Sequence, residues 1–419
     1  MNPSAKYRYS FLKAVRIVAF TLCLCSSLTF ATLPTTPEFE MASAWFEQNI
    51  KKSSNVPFSF IFSGDTSQNF IANWTKTIQP LGTKENVTGY NILYSDPLSD
   101  VSLTLRVDIY KDYPAVEWVL ELKNEGTDTT GIIKDIRAAD FSFNTKVNEA
   151  VTLHHAKGSD HQIDDFAPLK TILDKGQHIK MAPKGGRSSD DTAFPFFNIE
   201  RDNQGVIVGI GWTGQWAAEL DRNEDGSLAL KAGMEKTNLR LYPGEKIRTP
   251  RMLLLFWQSE DRMRGHNLMR QFMLAHHTPK IDGKPAVGPF ACNSGATIFK
   301  EFQLATENNM IAFAERYQQF GLQADYWWID AGWYGSMDFK AGSWYENVGN
   351  WTIRKEHFPN GLKPVSDAVN KMGMKFILWF EPERIRKDSW LFNEHPEWQL
   401  RLGSNPNNAL LDLGNPEAL

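Results

Sequence analysis

The sequence predicts a multidomain β plus α/β fold, in which an antiparallel β-sandwich precedes part of an α/β domain. Three observations support this prediction. The chain has 419 residues, which is long for one ordinary domain. From about residue 35 to 285, short strands with alternating apolar residues follow one another. From residue 286 onward, continuous apolar strands alternate with helical patterns, as they do in buried parallel sheets.

Residues 1–31 have the layout of a secretory signal peptide. Basic residues, among them Lys13 and Arg16, precede the short apolar run VAFTLCLCSSLTFA, which ends at Ala31. A basic start, a short apolar stretch and small residues near the cleavage position are the features of an export signal, and the run is short for a membrane span. We therefore predict cleavage after Ala31 and a secreted or periplasmic protein. An uncleaved membrane anchor is the alternative.

Composition limits the partners and cofactors. The 45 basic and 49 acidic residues give a net charge of −4, which argues against a nucleic-acid partner. After signal cleavage we expect no membrane partner, and a homo-oligomer is possible. Cys292 is the only cysteine beyond the predicted signal, so the processed chain can form no intrachain disulfide. The segment HHAKGSDHQIDD at 154–165 matches no standard metal spacing, and we predict neither metal nor cofactor.

The predicted β-sandwich domain covers residues 32–285. Every second residue is apolar in LTLRVDIY (103–110) and in VEWVLELKN (116–124), and the intervening KDYP is a turn signal. GVIVGIGWTGQW (205–216) and RMLLLFW (251–257) continue the strand pattern. Many short strands between Gly, Asn and Asp turns are typical of an antiparallel sandwich.

Near residue 260 the apolar period changes to that of a helix. In DRMRGHNLMRQFMLAHH (261–277), Leu268, Phe272 and Leu274 have helical spacing, and the Pro- and Gly-rich stretch HTPKIDGKPAVGP follows. Because such stretches are typical of linkers, we place the domain boundary between residues 285 and 286.

Residues 286–419 are predicted to alternate between strands and helices. Apolar residues at helical spacing predict a helix that Thr306 caps and that ends before Gly321, and a second helix at roughly 363–372. The predicted strands are PFACNSG (289–295), ADYWWID (324–330) and MKFILWFEPE (374–383). Such units in series belong either to a (β/α)₈ barrel or to a doubly wound sheet.

Carboxylates follow two of these strands. Asp330 ends the second strand, and Glu381 and Glu383 end the third. In both candidate folds, active residues lie at the carboxyl ends of the strands. Aromatic residues flank Asp330, Trp333 among them, and flat aromatic faces suit sugar rings. Glycoside hydrolysis needs two carboxyl groups about 5 to 9 Å apart, so the residues predict a carbohydrate-handling domain. Alternatively, Glu381 and Glu383 pair with Arg384 or Arg386 in a structural role.

Several longer stretches resemble one enzyme family. In the second half they are WWIDAGWY (327–334), GNW (349–351), FPNGLKPVSDAVNKMGMKFILWFEPE (358–383), HPEW (395–398) and LLDLGNPE (410–417). In the first half they are GRSSDDTAFPFF (186–197) and LYPGEKIRTP (241–250). Together they resemble glycoside hydrolase family 36, the melibiase-type α-galactosidases.

The resemblance implies an N-terminal β-supersandwich followed by the first part of a (β/α)₈ TIM barrel. It also implies retaining hydrolysis of terminal α-linked galactose or a related sugar, without a metal, in an α-galactoside or oligosaccharide. The predicted substrate-binding residues are Asp330, Trp333, Trp351, Glu381 and Glu383.

The sequence departs from the family pattern in two respects. Where the family usually has a second aspartate, this chain has Ala331, and a methyl group cannot accept hydrogen bonds from sugar hydroxyls. The family's nucleophile and acid/base also lie on later strands, so we expect the catalytic pair beyond Leu419 and the chain to end within the barrel.

Three functional hypotheses follow. The first is an exported glycoside hydrolase of α-galactosidase type. The second is a non-catalytic carbohydrate-binding protein or an inactive fragment. The third keeps catalysis within this chain, with Asp330 and either Glu381 or Glu383 as the pair.

Overall fold

The computed structural model describes residues 32–52, 56–293, 304–335, 344–401, 403 and 405–419. The chain divides into two compact units, Met1–Pro279 and Lys280–Leu419. The predicted signal peptide lies outside the described residues. Within the described ranges, no helix is both long and apolar enough to cross a membrane.

The first unit is built from strands joined by short turns, with a helix near each end. Its α-helices are α1 (Thr36–Phe46), α2 (Ser67–Phe70) and α3 (Met263–Phe272). Its strands, in chain order, are β1 (Ser59–Phe62), β2 (Asp65–Thr66), β3 (Thr75–Lys84), β4 (Val87–Ser95), β5 (Val101–Tyr110), β6 (Ala115–Asn124), β7 (Ile133–Phe143), β8 (Val151–Ala156), β9 (Pro168–Ile172), β10 (His178–Met181), β11 (Phe196–Arg201), β12 (Gln204–Gly211), β13 (Trp216–Arg222), β14 (Leu228–Met234), β15 (Asn238–Leu239), β16 (Lys246–Arg248) and β17 (Arg251–Gln258).

Two antiparallel sheets form a sandwich, as the alternating pattern predicts. The larger sheet has the order β3-β4-β5-β6-β17-β12-β11-β8-β9, and β16 also pairs with β6. The smaller has the order β10-β13-β14-β7-β1-β2, and β15 also pairs with β7. Leu103, Leu105 and Val107 of β5 are at most 1% exposed and join the core with residues of β7 and β14. The indole Nε1 of Trp118 donates to the carbonyl oxygen of Ala138 at 2.7 Å, so the buried polar group is satisfied.

Helix α1 was not predicted from the sequence. Glu38, in its first turn, accepts a hydrogen bond from the backbone N–H of Thr35 at 2.8 Å, so Thr35 and Glu38 have the spacing of a capping box. Trp45, further along the helix, stacks on Trp118 with ring centroids 5.1 Å apart. The helix is therefore part of the sandwich core rather than a covering layer.

Helix α3 and the π-helical turn Met273–His277 that follows it pack on the other face of the larger sheet. Leu268 and Phe272 are fully buried against apolar residues of β12 and β17. This confirms the predicted helical spacing for Leu268 and Phe272, whereas Leu274 lies in the π-helical turn and is 56% exposed. It also explains why β6 and β17 are buried on both faces.

A buried carboxylate fastens that turn to the sheet. One oxygen of Glu117, which is 2% exposed, lies 2.8 Å from Nε2 of His277. Its other oxygen accepts from the hydroxyl of Tyr110 at 2.8 Å and from Nη1 of Arg251 at 3.1 Å. Burial alone would raise the pKa of Glu117, but His277, Arg251 and Tyr110 together hold that pKa below its ordinary value.

Acid is therefore expected to destabilise the first unit through Glu117. Because the folded-state pKa is lowered, the stabilisation is complete above the unfolded pKa, about 4.3 for a free glutamate, and is lost as the pH falls through the folded value. Urea unfolding measured from pH 6 to pH 3 should show this loss, and Glu117→Gln should flatten the slope. The matched change Glu260→Gln, at an exposed position, should leave the slope unaltered. Equal slopes in all three proteins would contradict the assignment.

The second unit contains a parallel sheet and a small antiparallel one. Its helices are α4 (Glu307–Gln319), α5 (Lys363–Lys371) and α6 (Trp390–Glu394). Its strands are β18 (Lys280–Ile281), β19 (Lys284–Pro285), β20 (Ala291–Asn293), β21 (Tyr326–Ile329), β22 (Lys375–Leu378), β23 (Arg384–Arg386), β24 (Gln399–Leu400) and β25 (Asn408–Leu411). The predicted boundary between residues 285 and 286 thus falls at the end of the β18–β19 hairpin.

The parallel sheet has the order β20-β21-β22, and both pairings are parallel. Each strand lies beside the next one in the chain, which is the order in a barrel. Trp327 and Ile329 of β21 are fully buried, as are Met310 of α4 and Val369 of α5. The predicted βαβ units are therefore present, and both helices begin and end close to the predicted positions.

Removal of the Thr306 cap is expected to destabilise α4 by about 1 kcal/mol. Its hydroxyl oxygen accepts a hydrogen bond from the backbone N–H of Asn309 at 3.2 Å. Hydrogen–deuterium exchange of residues 307–319 should be faster in Thr306→Ala and nearly unchanged in Thr306→Ser, which keeps the acceptor. Equal exchange rates in both variants would show that the cap contributes nothing.

Candidate functional site

Parallel pairing brings the ends of β21 and β22 to one edge of the sheet. Ile329 pairs with Leu378, and the backbone N–H of Trp379 donates to the carbonyl oxygen of Ile329 at 3.0 Å. Asp330 and Trp379 therefore leave neighbouring strands at the same level. This carboxyl edge is where α/β folds place their functional residues.

Five aromatic side chains meet at this edge, and we call them the aromatic cluster: Trp333, Tyr334, Trp351, Trp379 and Phe380. Trp351 lies between the others, with ring centroids 4.7 Å from Tyr334, 5.5 Å from Phe380 and 6.1 Å from Trp379. Nε1 of Trp333 donates to the carbonyl oxygen of Trp379 at 2.9 Å. Trp333 is 2% exposed, whereas Phe380 is 54% exposed. The cluster is thus buried on one side and open on the other.

A close backbone approach holds the Gly349-Asn350-Trp351 segment in place. Gly349 has a φ of +101°, which favours glycine. A β-carbon at this position would lie 2.6 Å from Oγ of Ser389. Asn350 also accepts a hydrogen bond from the backbone N–H of Trp390 at 2.7 Å. The predicted site residue Trp351 is therefore fixed against the segment around α6.

Asp330 is half-buried at the start of the turn after β21. One carboxylate oxygen accepts from the backbone N–H of Ala331 at 2.8 Å, and the turn continues through Gly332 with a φ of +116°. Ala331 is 2% exposed and belongs to the apolar core of the second unit. The methyl group at position 331 therefore faces protein, while the carboxylate of Asp330 lies at the edge.

The two glutamates after β22 have different surroundings. Glu381 forms a two-pronged ion pair with Arg384, and this hydrogen bond raises the pKa of the arginine. Glu383 is exposed. The ion pair of Glu381 is the structural role that the sequence analysis kept as an alternative.

Two arginine–tyrosine contacts beside this ion pair were missed in the sequence. The guanidinium carbons of Arg384 and Arg386 lie 5.0 and 4.6 Å from the ring centroid of Tyr345. The hydroxyl of Tyr345 accepts from Nδ2 of Asn408 at 3.2 Å. Asn408 is on β25, which pairs with β23, so a long-range strand pairing creates this arrangement. Trp379 and Phe380 were also missed, although their position at a strand end is visible in the sequence.

The histidine- and aspartate-rich segment at 154–165 belongs to the first unit. His154 lies 2.5 Å from an oxygen of Glu200, and His155 contacts the hydroxyl of Thr171 at 3.2 Å. Across the residues that the structure covers, no group of three or more His, Cys, Asp or Glu side chains could hold a metal ion.

The chain thus contains a β-sandwich unit and an α/β unit whose carboxyl edge carries aromatic residues and carboxylates. Two family models match the chain. The glycosyl hydrolase family 36 N-terminal domain matches residues 57–242, and melibiase matches residues 258–419. The chain belongs to glycoside hydrolase family 36.

Similar proteins with curated descriptions agree with this assignment. The chain is 25% identical over 350 residues to the α-galactosidase Mel36A of Lactobacillus acidophilus, covering 80% of this chain and 45% of the relative. It is 23% identical over 325 residues to the α-galactosidase AgaA of Geobacillus stearothermophilus, covering 75% and 42%. The chain thus spans less than half the length of these relatives.

Solved structures show the same fold. The galactosidase domain of the α-galactosidase–sucrose kinase AgaSK has a TM-score of 0.67 at 19% identity and covers 88% of this chain and 52% of its own. The α-galactosidase of Lactobacillus brevis has a TM-score of 0.68 at 18% identity, covering 87% and 50%. A variant of AgaA in complex with stachyose has a TM-score of 0.65 at 18% identity, covering 87% and 51%.

Proposed function

We propose that the protein acts as a retaining glycoside hydrolase on terminal α-linked galactose or a closely related sugar. The observation that carries this proposal is the meeting of Asp330 and the aromatic cluster at the carboxyl ends of adjacent parallel strands. The names of the relatives, and the stachyose bound to the AgaA variant, support an α-galactoside or oligosaccharide substrate. In this proposal the described residues form one wall of the sugar pocket.

Each part of this wall has a distinct role in the proposal. The carboxylate of Asp330 accepts hydrogen bonds from sugar hydroxyls, which are stronger when the acceptor is charged. The exposed side of the aromatic cluster, at Trp351 and Phe380, contacts the apolar face of the sugar ring, and Trp333 supports these rings from below. Glu383, which is exposed in the bend after β22, reaches the substrate from the neighbouring position on the edge.

The identity of the sugar depends on position 331. Because the methyl group of Ala331 is buried in the apolar core, it offers no acceptor to a hydroxyl, and an unpaired buried hydroxyl costs about 1–3 kcal/mol. We infer that a sugar altered at the hydroxyl nearest this position binds at least as well as galactose. Competition between galactose and its deoxy, N-acetyl and epimeric analogues would rank them directly.

The described carboxylates bind and position the sugar in this proposal and do not react with it. A retaining mechanism needs two carboxyl groups about 5–5.5 Å apart, one of which is a free nucleophile. Glu381 is held in its ion pair with Arg384, so it is not available as a free nucleophile. The same observations favour a second candidate function, a non-catalytic sugar-binding protein.

Hydrolysis of p-nitrophenyl α-galactoside by the 419-residue chain tests these roles. Asp330→Asn, Glu381→Gln and Glu383→Gln are compared with Asp367→Asn, which changes an exposed carboxylate on α5. Turnover that is abolished in one of the first three variants while sugar binding is kept would show that a described carboxylate reacts. Binding without turnover in the unaltered chain is the result expected from these binding roles and is compatible with either candidate function.

We also propose that the chain is exported. Export is supported by the basic and apolar pattern of residues 1–31. N-terminal sequencing of the protein from the periplasm or medium should find Thr32 first. An intact Met1 on protein confined to the cytoplasm would overturn this proposal.

A further inference from the structure

An exposed tryptophan lies one hydrogen bond away from the segment that carries Trp351. Trp390, the first residue of α6, is 49% exposed, and no other tryptophan side chain in the described part of the chain is as open to solvent. Its backbone N–H donates to the side-chain oxygen of Asn350 at 2.7 Å, and Asn350 directly precedes Trp351. Because tryptophan is on average one of the more buried residues, a half-open indole beside a proposed sugar pocket is a candidate ligand contact.

Trp390 belongs to a set of three adjoining rings, which we call the indole platform: Trp390, His395 and Trp398. The rings of His395 and Trp398 stack with centroids 3.6 Å apart, and the ring of Trp390 meets that of His395 edge-on at 5.2 Å. Trp398 packs on a small apolar core that includes Leu391, and Trp351 packs on the same core. The indole platform and the aromatic cluster therefore share one support.

Hydrogen bonds fix the backbone and the indole of the platform. The side-chain amide of Gln399 donates to the carbonyl oxygens of Phe392 and His395 at 2.8 and 3.0 Å. Nε1 of Trp390 donates to a carboxylate oxygen of Glu394 at 3.1 Å, which orients the indole. A surface that is already ordered loses little conformational entropy when a ligand binds to it.

The polar groups beside the platform suit sugar hydroxyls. Glu394 and Glu397 are exposed, and an oxygen of Glu397 lies 2.9 Å from Nδ1 of His395. A charged carboxylate is a strong hydrogen-bond acceptor, and a flat indole has a large apolar surface for the C–H face of a sugar ring. A neutral, polyhydroxylated ring is the occupant that uses both features. The platform thus has the same chemistry as the edge formed by Asp330 and the aromatic cluster.

We propose that Trp390 contacts the sugar units that follow the terminal one in an oligosaccharide, so that the indole platform is an accessory subsite beside the pocket. This inference rests on the proposed function, which assigns the terminal sugar to Asp330 and the aromatic cluster. Because Asn350 links the segment of Trp351 to that of Trp390, one extended ligand contacts both indoles. An oligosaccharide therefore gains contacts that free galactose cannot make.

Calorimetric titration with galactose and with stachyose measures this gain. The unaltered chain should bind stachyose more tightly than galactose. Trp390→Ala should weaken stachyose binding by about five- to tenfold, as the loss of a contacting tryptophan does, and should leave galactose binding unchanged. Trp390→Phe keeps an aromatic face and should retain most of the affinity for stachyose.

Phe320→Ala is the matched control, because it removes another exposed aromatic side chain of the second unit, 72% exposed. Phe320 follows α4 and precedes β21, so it lies at the amino edge of the parallel sheet, opposite the candidate site. This variant should bind both sugars as the unaltered chain does.

The two sugars separate a binding role of Trp390 from a supporting one. Equal weakening of galactose and stachyose binding in Trp390→Ala would show that Trp390 only holds Trp351 through Asn350, and would overturn the inference. Unchanged stachyose binding in Trp390→Ala would overturn it as well, and both results would leave the proposed function standing. If the folded, unaltered chain bound neither sugar, the proposed function would fail and the accessory subsite with it.

Saturation-transfer NMR with stachyose locates the contact when binding is weak. In the unaltered chain, saturation should reach protons of the internal sugar units as well as those of the terminal galactose. In Trp390→Ala it should reach only the terminal galactose. Saturation confined to the terminal unit in both proteins would overturn the inference.

Discussion

Replacing Trp333 with alanine is expected to destabilise the second unit by about 3–5 kcal/mol, the range for large-to-small changes of buried aromatic residues. The ring is 2% exposed and contacts Trp351, Phe380 and Tyr334. Its loss would also leave the carbonyl oxygen of Trp379 without its indole donor. Urea unfolding, with hydrogen exchange of β21 and β22 to identify the unit, measures the change.

Trp390→Ala is the matched control for this prediction. Trp390 lies in the same unit but is 49% exposed, so its removal should cost much less than the loss of Trp333. Equal effects of the two substitutions would show that the aromatic cluster does not hold the strand ends together.

Replacing Glu38 with glutamine should destabilise the first unit by about 3–5 kcal/mol, as expected when one partner of a buried ion pair is removed. Glu38 is fully buried and pairs with Arg264 through contacts of 2.7 and 2.8 Å. The backbone N–H of Gln258 also donates to it at 2.9 Å. Burial alone would raise the pKa of Glu38, but Arg264 and the backbone donors lower that pKa overall. The charged carboxylate of Glu38 therefore connects α1 to β17 and to α3.

An exposed ion pair near the end of the same helix gives the comparison. Glu47 contacts Lys51 at 2.7 Å, and Glu47→Gln should cost at most about 0.5 kcal/mol, as exposed helix pairs do. Denaturant unfolding of both variants provides the measurement. If Glu38→Gln cost no more than Glu47→Gln, the buried pair would not be what fixes α1.

The sequence predicts the elements of this fold that have a strong local period. The apolar alternation of β5 and β6 and the helical spacing of α3, α4 and α5 are visible residue by residue. Helix α1 was missed because its apolar residues face a core supplied by distant strands. The sheet β23-β25-β24 was missed because its strands have two to four residues, too few for a period, and Arg384 pairs with Leu410 only through long-range contacts.

The candidate site was also predicted only in part from the sequence. Asp330 could be located because the end of its strand is recognisable in the sequence, whereas the predicted third strand was too long: β22 ends at Leu378, so Glu381 and Glu383 follow it instead of ending it. That Glu381 is held in an ion pair with Arg384 could not be decided from the sequence, because the pair depends on how the chain turns after β22. The burial of Ala331 and Trp333 likewise depends on packing among five aromatic rings. The roles of the predicted site residues in substrate binding remain predictions.

Calorimetric titration of the chain with galactose and with raffinose tests the central claim, that the edge formed by Asp330 and the aromatic cluster is a sugar site. The account predicts saturable binding that weakens at least about fivefold in Asp330→Asn, as expected for the loss of a charged hydrogen bond, and is unchanged in Asp367→Asn. Binding that is equally strong in Asp330→Asn, or the absence of binding by the folded chain, would contradict it.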